Sequence, residues 1–100
     1  MKLGILVNSK KNLAHIEGIT MVAVGAGHDV SIFVMDEGVR LFREGSFLKL
    51  TALGGVDTSY CDHSARERGI LKEELPGNLV CGSQYNNALM NHDCDRVIVL

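Results

Sequence analysis

Gly55-Val56-Asp57-Thr58-Ser59-Tyr60-Cys61-Asp62-His63-Ser64-Ala65-Arg66-Glu67-Arg68-Gly69 is the stretch that sets the architecture. Val56 to Tyr60 reads as a short strand that ends at Cys61, and a helix starting at Asp62 stops near Gly69. A thiol at that junction meets backbone N–H groups not yet engaged in the helix, together with the positive end of its dipole, and both favour thiolate. His63, Arg66 and Arg68 add positive charge nearby, while Asp62 opposes them. These residues alone leave two readings of Cys61 open: a reactive thiolate, or a small buried hydrophobe.

The same alternation of strand and helix extends in both directions. Toward the N-terminus, Lys2 to Val7 is a nearly continuous apolar run, the pattern of a strand covered on both faces. Asn8 to Asn12 is a polar turn with Asn12 placed to cap a helix. Leu13, Ile16, Ile19, Ala23 and Val24 then recur at helical spacing, until Gly25 and Gly27 stop it. The second half of this helix, Ile19 to Val24, is apolar on more than one face, which predicts burial against a partner subunit. Val30 to Met35 is a second strand, and Asp36-Glu37-Gly38 is a loop. Val39 to Arg43 predicts a helical turn, and Ser46 is placed to cap a short helix reaching Leu53.

Toward the C-terminus, Lys72 to Leu75 forms a turn before Pro76-Gly77. Leu79-Val80-Cys81 is a short strand, Ser83 caps a helix carrying Tyr85, Ala88 and Leu89, and Arg96 to Leu100 predicts a last buried strand. Strands alternating with helices at these lengths specify an α/β sandwich with a mostly parallel sheet of about five strands. Reactive groups in such folds gather at the C-terminal ends of the strands. That rim takes the Asn8–Asn12 turn, the Asp36–Gly38 loop, Cys61 and Cys81. His92, Asp93 and Cys94 fall on the opposite rim.

The chain has 100 residues, 46% of them hydrophobic, which suits one domain spanning 1–100. Ten basic against twelve acidic residues give a formal charge of −2 with no basic run beyond Lys10-Lys11, so nucleic acid is not an expected partner. Three cysteines do not make a disulfide framework. The N-terminal apolar run is too short for a leader or a membrane span. A cytoplasmic, reducing location is the expectation.

Several motifs lose their force by position. Cys61-Asp62-His63 and His92-Asp93-Cys94 offer zinc-ligand types, but strands of this length set them roughly 15 Å or more apart on opposite rims, so no metal site is expected. Gly25-Ala26-Gly27 follows a helix and precedes a strand, the reverse of a dinucleotide-binding turn. His63, two residues from Cys61, does not make a cysteine–histidine hydrolase without a third, orienting group. His15 and His28 read as surface residues. Cys81 shares a rim with Cys61, as a second thiol or as a packing residue.

Three segments resemble the DsrE/TusD-like (DsrE/DsrF-like) family of sulfur-relay proteins. They are Gly55 to Cys61 running into Ser64-Ala65-Arg66-Glu67-Arg68-Gly69-Ile70, then Gly27-His28-Asp29-Val30 leading through Phe33 to Glu37-Gly38-Val39, and finally Cys94-Asp95-Arg96-Val97-Ile98-Val99-Leu100. The resemblance implies a three-layer α/β/α sandwich, a trimeric or hexameric ring, and a persulfide carried on the family cysteine, which maps to Cys61. It makes the protein a candidate sulfurtransferase that exchanges sulfur with donor and acceptor proteins and needs no cofactor. Asp62, His63 and Ser64 would support the anion at the helix start, with Cys81 as a candidate second thiol. The loops after the first strand and between Val39 and Gly55 are short for the family, and some members lack the cysteine. The alternative is therefore a non-catalytic oligomeric subunit or interaction module; a small-molecule or nucleotide-binding sensor using the same rim is a third class.

Overall fold

A computed structural model describes residues 1–100. Five parallel strands stand in the order β4-β3-β2-β1-β5, with β1 at Lys2–Val7, β2 at Asp29–Val34, β3 at Val56–Cys61, β4 at Leu79–Gly82 and β5 at Arg96–Val99. The helices are α1 (Leu13–Gly25), α2 (Gly45–Thr51), α3 (Asp62–Glu67) and α4 (Gln84–Asp93). A 3₁₀ segment, Asp36–Arg43, follows β2, and a shorter one spans Lys72–Glu74.

The topology explains how the layers are filled. From β1 the chain steps through β2 and β3 to β4 in one direction, then returns across the sheet to β5 through α4. Right-handed crossovers put helices from opposite steps on opposite faces. Strand residues alternate between those faces, so the interior divides in two. Ile5, Val7, Val30, Ile32, Val34 and Tyr60 pack with Ile16 of α1, Phe47 and Leu50 of α2 and Phe42 of the 3₁₀ segment in a core of 17 buried residues. Beneath α4 the buried group has only three members, Phe33, Cys61 and Met90, flanked by Leu6, Met35, Cys94 and Val97. The thiol therefore belongs to the thinner layer. Gly4 lets that layer pack closely on β1: a Cβ there would sit 3.1 Å from Cys94 Sγ and 3.2 Å from Met90, so these side chains would have to give by a few tenths of an ångström.

Several expectations need correction. Arg96 to Leu100 is not a buried strand: β5 pairs with β1 alone, and Val99 is 58% exposed. An apolar run reports affinity for a core, not how many neighbours a strand has. Asn12 occupies the cap position of α1 but makes no side-chain cap; its amide instead reaches the Leu100 carbonyl at 3.4 Å. Ser46 does not cap α2, which starts one residue earlier behind Glu44. The turn expected at Val39–Arg43 begins at Asp36. Ser83 does cap α4, accepting from the Tyr85 N–H at 3.2 Å while Asn86 Oδ1 accepts from the Ser83 N–H. On α1, Ile16, Thr20 and Ala23 are buried, whereas Met21 is 56% and Val22 74% exposed. No helix is long and apolar enough to cross a membrane.

Candidate functional site

Cys61 closes β3 and stands at the cap position of α3, in extended backbone. Phe33 and Met90 wall one side of its side chain, and the residue is 6% exposed. Burial pushes its thiol up, as it does for any group that must ionise away from water. Donors reverse that effect: the Ser64 hydroxyl and backbone N–H, the Gln84 carboxamide and the His63 N–H all favour the anion, and the thiol falls below its ordinary range. Cys94 has no such donors and burial holds its thiol above that range.

The donor geometry is set from outside α3. Asp36 takes a left-handed conformation, φ 49°, and its N–H donates to Ser64 Oγ at 3.0 Å. A hydroxyl has one proton; with a lone pair already engaged by Asp36, that proton is free for the sulfur. Asp36 is in turn held by its neighbours. Glu37 Oε2 accepts from Arg68 Nε and from Arg40 Nε, each at 2.7 Å, and Arg68 also donates to the Ser64 carbonyl at 3.1 Å. Gly38 lies so close to β1 that a Cβ would come within 2.4 Å of the Val7 carbonyl oxygen. The loop after β2 and the end of α3 are thus one clamp beside the thiol.

The four residues expected around Cys61 fare differently. Ser64 is buried, its hydroxyl accepts from the Asp36 N–H, and it favours the Cys61 anion. Asp62 turns to Arg66, with Oδ2 2.6 Å from Nε, and this guanidinium holds its carboxyl below the usual range. The His63 ring is 81% exposed and pairs with Glu67, leaving only its backbone N–H at the thiol. Cys81 pairs in register with Tyr60 while Cys61 pairs with Gly82. Cys81 therefore packs on the large core, across the sheet from Cys61. Cys94 sits against Gly4, and no three His, Cys, Asp or Glu side chains converge as a metal set.

Sequence reasoning missed Gln84, Met35 and the Glu37–Arg68 pair; it placed the Asp36–Gly38 loop on this rim but not the Asp36 N–H on Ser64. Gln84 had a usable signal: it follows the Ser83 cap two residues after Gly82, the register partner of Cys61. The cavities of the surface lie elsewhere. A groove of about 230 Å³ beside α4 is lined by Lys2, Ser31, Asp57, Asn86 and Asp93 among others, and not by Cys61.

A five-stranded, all-parallel sheet layered with helices defines the class. Across residues 1–100 the chain matches the model of the DsrE/DsrF-like family, and it belongs to that family. The ychN protein of E. coli shares the fold at a TM-score of 0.79 and 16% identity, with both chains fully covered. MTH1491 of Methanobacterium thermoautotrophicum, a protein of unknown function, superposes at a TM-score of 0.69 and 10% identity, covering 99% of this chain and 98% of its own. No curated protein matches the chain.

Proposed function

We infer that the protein is a sulfur-relay carrier that holds a persulfide on Cys61. The carrying observation is the placement of Cys61 at the end of β3 and the cap of α3, beside the Ser64 hydroxyl that Asp36 orients, with groups there that favour the anion despite burial. The Cys61 thiolate attacks the outer sulfur of a donor persulfide. A Cys61–sulfur bond forms, the donor's S–S bond breaks, and the donor departs as a thiolate. An acceptor thiolate then attacks that same outer sulfur and releases Cys61 as thiolate. Sulfur moves with no net change in electron count, so neither cofactor nor metal enters the exchange. The chemistry suits a reducing compartment such as the cytoplasm, and all three cysteines are unpaired.

Donor and acceptor are proteins in this reading, since the thiol stands at a rim outside the surface cavities. The exposed Met21 and Val22 support a homo-oligomer built through α1. One observation favours the alternative of a non-catalytic subunit: Cys61 is only 6% exposed. Loading with a persulfide donor, followed by mass-spectrometric mapping of added sulfur, separates the two. Sulfur on Cys61, absent in Cys61→Ser, is the expected result. Sulfur that persists in Cys61→Ser refutes the assignment, and a Cys61 that neither loads nor alkylates in the native protein supports the subunit reading.

A further inference from the structure

Three side-chain amides run head to tail along α4. Asn91 Nδ2 donates to Asn87 Oδ1 at 2.8 Å and Asn87 Nδ2 donates to Gln84 Oε1 at 3.2 Å. Gln84 Nε2 closes the row, donating to Met35 Sδ at 3.7 Å. The spacing is three residues and then four, so all three amides share one helix face. Asn87 fixes which way the Gln84 carboxamide points: its oxygen is held toward the helix, so its NH₂ must face the rim where Met35 and Cys61 share one apolar cluster.

A thioether is a weak acceptor. The Gln84 NH₂ therefore has a proton on a poor partner, in the apolar cluster that Met35 shares with Cys61. Aligned amides polarise one another, which strengthens the last donor in the row. We propose that Gln84 is a positioning donor for the Cys61 thiolate, oriented by the Asn87–Asn91 amides and poised to leave Met35 for the anion. This rests on reading Cys61 as the reacting thiol and deepens it. When sulfur passes to the acceptor, Cys61 is the leaving thiolate, and a better-stabilised thiolate leaves faster. Of the side chains that follow Cys61, the Ser64 hydroxyl also favours the anion, whereas Asp62 is taken by Arg66 and His63 by Glu67.

The test is the pH profile of Cys61 alkylation by iodoacetamide, read peptide by peptide in the full chain. Gln84→Leu removes the donor and Gln84→Glu reverses its polarity in the same shape. Both are expected to move the Cys61 profile to higher pH and slow alkylation at neutral pH by about tenfold, the scale of a hydrogen bond to a charged group. Asn87→Leu frees the carboxamide and gives a smaller shift in the same direction. The Cys94 profile, outside this row, stays in place in every variant and reports an intact fold. Wild-type profiles in both Gln84 variants overturn the proposal. If Cys61 takes no sulfur from a donor but its profile still shifts in the Gln84 variants, the carrier reading falls and the Gln84 assignment stands.

Discussion

Arg68 Nε lies 2.7 Å from Glu37 Oε2, across 31 positions of chain, and this contact ties the loop after β2 to the end of α3. It joins two of the segments that resemble the family pattern, Glu37-Gly38 and Arg68-Gly69. With it comes the Asp36 N–H that orients Ser64.

The clamp has a pH signature. Arg68 first and Arg40 second hold the Glu37 carboxyl below the usual carboxylate range. A carboxyl lowered in the folded state stabilises the fold at pH values above its ordinary titration. That contribution fades as pH falls through the lowered value. Glu37→Gln, which resembles the protonated acid, is expected to melt below wild type at neutral pH. The gap should close on acidification, as thermal melts across a pH series will record. A gap that widens toward acid contradicts this sign.

Ser64→Ala removes two things at once, the acceptor of the Asp36 N–H and the hydroxyl that favours the Cys61 anion. The expected loss of stability is about 1 kcal/mol, the scale of one hydrogen bond. Alkylation of Cys61 at neutral pH should slow as its profile moves to higher pH. Denaturant melts and alkylation rates on one preparation check both.

Gly38→Ala forces a Cβ to within 2.4 Å of the Val7 carbonyl, which is backbone and cannot swing aside. The segment must lift off β1, at about 3 kcal/mol, the upper range of an overpacked site. Chemical denaturation measures the loss directly, and native alkylation should show Cys61 more exposed as the clamp loosens.

The Tyr60 hydroxyl is buried with no hydrogen-bond partner, although Cys81 lies beside it. Tyr60→Phe removes an unsatisfied polar atom and keeps the edge-on contact with Phe42, whose ring centroid is 5.4 Å away. The variant is expected to be as stable as wild type or more so, by up to about 1 kcal/mol, when compared by denaturant titration.

Charging the exposed face of α1 tests assembly. Met21→Lys with Val22→Lys should leave the fold unchanged, since both side chains are exposed in the single chain, and shift the species seen by sedimentation to a smaller mass. An unchanged mass argues against α1 as the contact.

The sequence by itself determined the order of strands and helices, the parallel sheet and the place of Cys61 at the end of β3. Those follow from local patterns: apolar runs and helical periodicity, with glycines and Ser83 as punctuation. Local pattern also made Ser64 a candidate, one turn into the helix that Cys61 opens. What only the tertiary structure decided is where the polar side chains turn. Asp62 and His63 are neighbours of Cys61 in sequence, yet their side chains pair with Arg66 and Glu67 on the exposed side of α3. Gln84 and Asp36, more than twenty positions away, set the donors at the sulfur instead. Cys81 shares the rim but lies on the opposite face, because register across β3 and β4 matches it to Tyr60. Spacing along the chain fixes backbone form, whereas the acidity of a thiol depends on whichever donors the folded sheet brings within reach.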